Sequence, residues 1–342
     1  MKKYNVIIVD DSAFMRILIS DIIESDDNFN VIAKFKNGKE LIDNIERYNP
    51  DVITLDIEMP EMDGIETLKE LKNRGNKYPI LMLSSLTQNG SMQTMKCLEL
   101  GAYDFVEKTS GFRDENMKKE LINKLKGIVF EKTRKSINTK IEKSKTTRIN
   151  NINKQIDAVV IGASTGGPKA LQEVLTKIDS NIGVPIFVVQ HMPKGFTKAF
   201  AERLNKICKV KVVEAENNMK IEKNTIYIAQ GGYHMTVGDG IKIKLNEEPA
   251  IWGVRPAVDK LFESAIKVYG EKLLSVVLTG MGRDGASGSA LIKDYGGVTI
   301  AESESTCVIY GMPKAAAETG KIDLVLPLYE VGDKINRIVE RR

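Results

Sequence analysis

The sequence predicts two α/β domains in succession, each built on a mainly parallel sheet. Short apolar runs alternate with amphipathic stretches over residues 1–131 and again over residues 155–342. A basic segment at 132–154 separates the two halves. A chain of 342 residues is long enough for two domains, each with its own hydrophobic core. We therefore expect a first domain at 1–131, a flexible linker at 132–154 and a second domain at 155–342.

Five apolar runs in the first half have the length of buried strands. They are Val6–Val9, Val31–Phe35, Val52–Leu55, Ile80–Leu83 and Ala102–Val106. Stretches with helical spacing of apolar residues lie between them. Strands that alternate with helices form a parallel sheet covered on both faces. Right-handed crossovers then bring the carboxyl ends of all five strands to one edge, where ligands bind.

The segment at 132–154 shows neither helical nor strand periodicity. It carries many Lys and Arg residues, scattered isoleucines and one acid, Glu142. This composition is typical of an extended, flexible tether, and a nucleic-acid-binding arm is the alternative. The first residues of the segment are also able to continue the last helix of the preceding domain.

A second alternation of strands and helices begins at Asp157. Its predicted strands are Ala158–Ile161, Ile186–Gln190, Lys211–Glu214, Ile226–Ala229, Ile241–Leu245, Leu274–Leu278 and Val298–Ala301. Its predicted helices are Lys169–Ile178, Thr197–Ile207, Ala257–Tyr269 and Ala286–Tyr295. Glycines indicate turns between the short strands of the 211–245 section. We therefore expect a doubly wound, mostly parallel sheet with an antiparallel addition from that section.

Composition limits the classes of function. The net charge is only +4, so no general attraction to nucleic acid is expected. The three cysteines are widely spaced and form no metal-binding or disulfide pattern, which is typical of a reducing cytoplasm. No apolar run is long enough for a signal peptide or a membrane span. We expect a cytoplasmic protein without membrane insertion.

Polar side chains follow four of the five predicted strands in the first half. Asp10 and Asp11 follow the first strand, Asp56 the third, Ser84 the fourth and Lys108 the fifth. Clustered carboxylates repel one another without a cation, and Mg²⁺ prefers oxygen ligands. The pattern therefore predicts a Mg²⁺ site at the three aspartates, with the lysine and serine near a phosphoryl group. A single acid here would fit a helix cap equally well, but four features at four strand ends favour the site.

Residues 4–130 resemble the receiver domain of response regulators. The matching residues are Asp10, Asp11, Asp56, Met59, Pro60, Asp63, Gly64, Ser84 and Lys108. The resemblance implies a flavodoxin-like fold and phosphorylation of Asp56 by a histidine kinase. Ser84 and Tyr103 match the family's switch pair, which implies that phosphate draws the serine inward and that the aromatic ring follows.

A candidate nucleophile follows the strand Ala158–Ile161. Small residues make a tight turn around Ser164, and Pro168 fits the first turn of the helix that follows. Free backbone N–H groups at a helix N-terminus favour negative charge and are able to hold an oxyanion. The same Gly-x-Ser-x-Gly pattern also occurs in phosphate-binding turns and in the nucleophile elbow of α/β-hydrolases. The partners of the serine decide between these possibilities.

Two further residues at strand ends complete a possible catalytic triad. His191 directly follows Ile186–Gln190, and Asp284 lies in a glycine-dense loop that opens a helix. A histidine would act as base, and a carboxylate would orient it. Asp284 is equally able to serve as a helix cap alone, and the second histidine, His234, is expected to be structural. The order Ser, His, Asp differs from that of α/β-hydrolases.

Residues from about 157 onward resemble the catalytic domain of the chemotaxis protein-glutamate methylesterase family. The matching runs are 162–167, 190–193, 231–235, 255–259, 280–286 and 310–313. The resemblance implies the triad Ser164, His191 and Asp284, with oxyanion contacts from the Thr165 and Met281 regions. It also implies a phosphorylation-activated hydrolase of glutamyl methyl esters, with glutamine deamidation as a second activity, acting on cytoplasmic chemoreceptor helices.

Two departures from the family pattern lie outside the triad. Gln230 stands where the family usually has proline, and Glu302-Ser303 replaces the commoner Gln-Asp. Two other classes of protein remain as alternatives. One is a DNA-binding response regulator, which would need a basic recognition helix after the linker. The other is a non-enzymatic scaffold that binds a nucleotide through Gly162–Gly167.

Overall fold

The computed structural model describes residues 3–75, 78–85, 88–108, 115–137, 154–238 and 242–340. The chain divides into two compact units, Met1–Thr139 and Lys140–Arg342. Within the described residues, no helix combines the length and the apolar character that crossing a bilayer requires.

The first unit contains a five-stranded parallel sheet. The strands are β1 Tyr4–Val9, β2 Phe29–Phe35, β3 Val52–Asp56, β4 Ile80–Ser85 and β5 Asp104–Lys108. Their order is β2-β1-β3-β4-β5, and every neighbouring pair is parallel. This is the flavodoxin-like fold expected from the sequence, with β1 and β3 central and buried.

In the described part of the first unit, five α-helices accompany this sheet. They are α1 Ala13–Glu24, α2 Gly38–Asn44, α3 Gly64–Asn73, α4 Gln88–Leu100 and α5 Glu115–Ile137. Leu121 and Leu125 of α5 are fully buried and share one core with Leu81 and Val106 of the sheet. Helix α5 includes residues 132–137, which the sequence pattern assigned to the linker. The rest of the predicted linker up to residue 153 lies outside the described residues.

The second unit is built on a seven-stranded sheet. Its strands are β6 Ala158–Ala163, β7 Ile186–Gln190, β8 Lys211–Glu214, β9 Thr225–Ile228, β12 Leu273–Val277, β13 Val298–Glu302 and β14 Leu324–Leu326. Their order is β14-β13-β12-β6-β7-β9-β8, and every neighbouring pair is parallel. A separate antiparallel pair consists of β10 His234–Gly238 and β11 Lys242–Asn246.

The 211–245 section differs in detail from the sequence prediction. Only β10 and β11 are antiparallel, whereas β8 and β9 extend the main sheet in parallel. A crossover from β8 over residues 215–224 returns the chain to the same end of the sheet, so β9 runs in the same direction as β8. Strand β14 was not predicted, because its three residues are too few to show a pattern.

Within its described residues, the second unit has six α-helices. They are α6 Gly167–Leu175, α7 Phe196–Ile207, α8 Val258–Tyr269, α9 Ala286–Asp294, α10 Met312–Glu318 and α11 Leu328–Val339. Helix α6 contacts α7 and α11, whereas α9 contacts α8 and α10. The sequence predicted α6 to α9 but not the last two helices. Pro168 lies in the first turn of α6, as predicted.

The order of the strands positions one crevice. After β6 the chain adds β7, β8 and β9 on one side, and it later adds β12, β13 and β14 on the other. The strand order therefore reverses direction at β6 and β12. In open parallel sheets ligands bind beyond the carboxyl ends of the strands at such a switch point. Ser164 directly follows β6 at this position.

Candidate functional site

Three carboxylates meet at the carboxyl edge of the first sheet. One ligand oxygen from each of Asp10, Asp11 and Asp56 lies within 4.8 Å of the others. The Lys108 ammonium contacts Asp10 at 2.8 Å and Asp56 at 2.7 Å. Arg16 donates hydrogen bonds to the carbonyl oxygens of Asp10 and Asp11 and so holds the loop. A set of three carboxylate oxygens fits a hard divalent cation such as Mg²⁺.

Asp56 is poorly solvated for a charged group. Burial raises the pKa of the Asp56 carboxyl to about 6, and the nearby Asp10 adds to the rise, whereas Lys108 opposes it. The two acids in turn raise the pKa of the Lys108 ammonium against the effect of its burial. The pocket therefore holds its negative charge at a cost that a bound cation would reduce.

Of the two proposed switch residues, only Ser84 lies at the carboxyl edge of the sheet beside this pocket. The Ser84 hydroxyl is buried and accepts a hydrogen bond of 2.7 Å from the Thr94 hydroxyl of α4. Tyr103 packs against the core of the first unit, and among the described residues its buried hydroxyl has no hydrogen-bond partner. Tyr103 directly precedes β5, where its backbone N–H donates to the carbonyl of Ile80 at the start of β4. It therefore lies at the opposite edge of the sheet from Ser84 and Lys108, which does not fit the switch pair that the resemblance implied.

Ser164 lies at the carboxyl end of β6, between the ends of two neighbouring strands. Its backbone N–H donates to the Thr279 carbonyl, just beyond β12, at 3.0 Å. Ala163 is paired in register with Gln190, so Ser164 and His191 directly follow paired residues. Adjacent strands are about 4.8 Å apart. The register of the sheet therefore makes the predicted nucleophile and base immediate neighbours.

His191 contacts the predicted acid of the triad. Its Nε2 lies 2.8 Å from Oδ2 of Asp284. The carboxylate also accepts hydrogen bonds from the backbone N–H groups of Val258 and Asp259 at 2.6 and 2.9 Å. Because a carboxylate only accepts, Nε2 carries the proton of the neutral ring. The other nitrogen, Nδ1, is then unprotonated and available as a base.

Two backbone N–H groups near Ser164 are free to bind an anion. Among the described residues, neither the Thr165 nor the Met281 N–H donates a hydrogen bond. Gly280 approaches Ser164 so closely that an added Cβ would lie 2.8 Å from the serine Cβ. The absence of a side chain at residue 280 therefore brings the Met281 loop against the candidate nucleophile.

Gln190 is a supporting residue that the sequence pattern did not single out. Its buried side chain donates from Nε2 to the carbonyl oxygens of Ser164, at 3.0 Å, and of His191, at 3.1 Å. One amide group therefore links the backbones of both candidate catalytic residues. An added Cβ at Gly167 would lie 1.9 Å from Oε1 of Gln190, which requires glycine there. A polar residue at the end of the apolar strand Ile186–Val189 is the signal in the sequence.

Glu302, one of the two departures from the family pattern, supports the same region. Its fully buried carboxylate accepts a hydrogen bond of 2.8 Å from the Thr279 backbone N–H. The Thr279 carbonyl in turn accepts from the Ser164 N–H. Glu302 therefore acts on the backbone of the candidate nucleophile through Thr279, and not on the triad directly.

His234 has no nitrogen left for catalysis. Its Nδ1 accepts a hydrogen bond from the backbone N–H of Ala257. Its Nε2 lies 3.1 Å from the backbone carbonyl oxygen of Pro249. The ring is fully buried, and burial lowers the pKa of His234. The neutral ring with its proton on Nε2 satisfies both contacts. This geometry supports the structural role expected for His234.

Together, the two units define a class of protein: a response regulator whose output domain is a hydrolase. The model of the response regulator receiver domain matches residues 6–121, and that of the CheB methylesterase matches residues 159–335. The chain belongs to the CheB methylesterase family.

Relatives of known name agree with this assignment. A protein-glutamate methylesterase/protein-glutamine glutaminase of Clostridium acetobutylicum is 54% identical over 343 residues, covering 99% of both chains. One of the same name from Pyrococcus abyssi is 43% identical and covers 99% of this chain and 94% of its own. The crystal structure of the Thermotoga maritima CheB methylesterase catalytic domain has a TM-score of 0.52 at 42% identity, covering 54% of this chain and 100% of that chain.

Replacing Asp56 by Asn is expected to stabilise the first unit at about pH 8 without metal, by about 1–3 kcal/mol. The folded pKa of about 6 exceeds the ordinary value of 3.8, so the charged form opposes folding at pH values above 6. The gain in stability should fade as the pH falls from about 6 towards 3.8. Urea unfolding with a chelator measures it, and the exposed Asp43→Asn is the control. An equal gain in stability at pH 6 and at pH 3.8 would contradict the explanation that burial raises the pKa of Asp56.

Replacing Gln190 by Glu is expected to destabilise the second unit by about 1–3 kcal/mol, because a carboxylate would face two carbonyl oxygens. The loss should be larger at pH 8 than at pH 5, since a protonated carboxyl regains one donor. Thermal unfolding at both pH values measures the effect. The exposed Gln155→Glu is the matched control and should unfold like the unchanged chain. Equal melting of both variants would show that the Gln190 link contributes nothing.

Proposed function

We propose that this chain hydrolyses glutamyl methyl esters on the cytoplasmic helices of chemoreceptors and deamidates glutamine side chains there, under the control of phosphorylation at Asp56. The observation that carries the proposal is the contact between His191 and Asp284 at the strand end beside Ser164. The names of the relatives give the substrate class: a glutamate methyl ester and a glutamine amide.

The first half of the reaction forms an acyl-enzyme. The Ser164 hydroxyl attacks the ester carbonyl, and Nδ1 of His191 takes the hydroxyl proton. The same proton is then delivered to the methoxy oxygen, so methanol leaves and the glutamyl group remains bonded to Ser164. Asp284 accepts from the opposite nitrogen of the ring and stabilises the imidazolium that forms between these two transfers.

The second half of the reaction uses the same groups in reverse. A water molecule gives a proton to His191 and attacks the acyl carbonyl, and Ser164 recovers its proton as glutamate is released. In deamidation, ammonia leaves in place of methanol. The Thr165 and Met281 N–H groups, which are free among the described residues, would stabilise the oxyanion in both steps.

The first unit supplies control. A histidine kinase of the chemotaxis system is the proposed phosphate donor to Asp56. Bound Mg²⁺, held by Asp10, Asp11 and Asp56, would neutralise the charge of the phosphoryl oxygens. Lys108 would pair with these oxygens, and Ser84 would hydrogen-bond one of them. Phosphorylation replaces the single negative charge of the Asp56 carboxylate with a phosphoryl group of roughly −1.5 to −2 charges, and this change in charge would alter the contacts of the first unit.

The proposed domain division follows the sequence pattern. A receiver domain at 1–131, whose last helix continues to Ile137, is joined through the basic linker at 132–154 to the catalytic domain at 155–342. We place the protein in the cytoplasm, where both the kinase and the receptor helices are accessible, without a role for nucleic acid or membrane insertion.

Methanol release from methylated receptor tests the chemistry. Ser164→Ala should abolish release, and His191→Ala should lower kcat by about 10²–10⁴-fold, because the general base is lost. A serine-directed reagent should label Ser164 in the unchanged chain and fail to do so in His191→Ala. His234→Asn is the control histidine variant and should keep the labelling. Undiminished methanol release by Ser164→Ala would refute the proposed function.

A comparison of full chain and fragment tests the control. If the unphosphorylated receiver inhibits the catalytic domain, the fragment 155–342 should release methanol faster than the unphosphorylated chain, by about 5–150-fold. Phosphorylation should raise the rate of the full chain but not that of Asp56→Asn. A fragment no faster than the unphosphorylated chain would exclude inhibition by the receiver.

A further inference from the structure

A second buried aspartate lies beside the triad. Asp259, in the first turn of α8, is 4% exposed. Its Oδ1 accepts hydrogen bonds from the backbone N–H groups of Gly285, at 3.0 Å, and Gly288, at 2.8 Å. These groups lie at the start of α9, directly after Asp284. The two aspartates therefore cap each other's helices, because Asp284 accepts from the first turn of α8.

This exchange replaces ordinary caps on both helices. The N-cap residues of α8 and α9 are Ala257 and Gly285, and neither has a side chain that accepts a hydrogen bond. The first N–H groups of a helix need an acceptor from outside the helix. A carboxylate from the other helix supplies it in each case, so the two helix ends are fixed to each other as well as capped.

The exchange also fixes the acid of the triad in two ways. The Asp284 carboxylate is oriented by two N–H groups of α8, and the backbone directly after it is held by Asp259. His191 contacts the same oxygen of Asp284 that accepts from Val258. A movement of the Asp284 loop would therefore move the partner of the imidazole.

We propose that Asp259 is a positioning residue for the reaction, which holds the Asp284 loop and through it the orientation of the His191 ring. The proposal rests on the proposed function, since it assigns a role within the same site. Asp259 is linked to the imidazole only through Asp284 and is therefore proposed as a positioning residue, not as a catalytic one.

The charges around Asp259 give this arrangement a pH dependence. Burial and the neighbouring Asp284 raise the pKa of Asp259 to about 6, against the hydrogen bonds from Gly288 and Gly285. The Trp252 indole N–H lies 3.4 Å from its Oδ2, and the Arg283 guanidinium lies over the Trp252 ring at 5.3 Å. Protonation of Asp259 weakens its acceptance of the two glycine N–H groups, so the holding contact weakens as the pH falls below 6.

The test uses the full chain with two substitutions at this residue. Asp259→Ala is expected to lower kcat by about 10²-fold with an unchanged KM, the effect of misplacing a reacting group by about 1 Å. Asp259→Asn keeps an oxygen that accepts from both glycines, so it should recover most of kcat. It should also lose the contribution of Asp259 to the acid limb of the pH–rate profile.

A second readout requires no substrate. The chain contains two histidines, so the NMR titration of His191 is resolved by comparison with His234→Asn. Asp259→Ala is expected to change the NMR signals of the His191 ring, because the contact of the ring with Asp284 is loosened. This measurement separates the two ideas. If Ser164→Ala released methanol at the full rate, the proposed function would fail, while the titration would still test Asp259.

Asp323 provides the matched control. Its carboxylate accepts from the Thr299 backbone N–H at 3.0 Å, near the start of β13 and at the other end of this strand from Glu302. Asp323→Ala should lower stability without changing kcat or the His191 titration. An Asp259→Ala variant that matched Asp323→Ala in both readouts would overturn the proposal. If Asp259→Ala did not fold, the Asp259→Asn variant would decide the question. An unaltered pH–rate profile of that variant would overturn the proposal.

Discussion

The parallel pairing of β6 with β7 is the constraint on which the proposed catalytic site depends. Because Ala163 and Gln190 are partners in the ladder, the residues that follow them lie side by side at the edge of the sheet. The Gln190 amide then links the carbonyl groups of Ser164 and His191. The proposed nucleophile and base, 27 positions apart in the sequence, are thus positioned by the hydrogen bonds of the sheet.

The two sites handle buried negative charge differently. In the first unit, three carboxylates share one pocket with Lys108, and burial raises the pKa of Asp56. In the second unit, Asp284 is satisfied by two helix N–H groups and an imidazole. The receiver pocket therefore favours the arrival of a cation, whereas the Asp284 carboxylate is satisfied by hydrogen bonds from the protein itself.

Much of the fold and of the two candidate sites could be predicted from the sequence, because a strand end shows in the sequence as an apolar run that stops at polar residues. The acid cluster, Ser164 and the residues predicted to assist it all follow such runs. Contacts that depend on how two helices pack against each other could not be predicted from the sequence. Asp259 looks like an ordinary residue of the first helical turn until α8 and α9 are seen to exchange caps. The direction of β9 and the existence of β14 were missed for a related reason: strands of three or four residues carry little pattern, and their direction is set by crossovers.

The chain has a single tryptophan, and it lies beside this exchange of caps. The indole of Trp252 is more than half exposed, yet its N–H points at Asp259 and its ring lies beneath Arg283. A carboxylate at one edge and a cation over the face of an indole both alter its emission. The tryptophan emission of this protein, excited selectively over its ten tyrosines, thus comes from one position next to the proposed hydrolytic centre, and a spectroscopist can follow events there without attaching a dye.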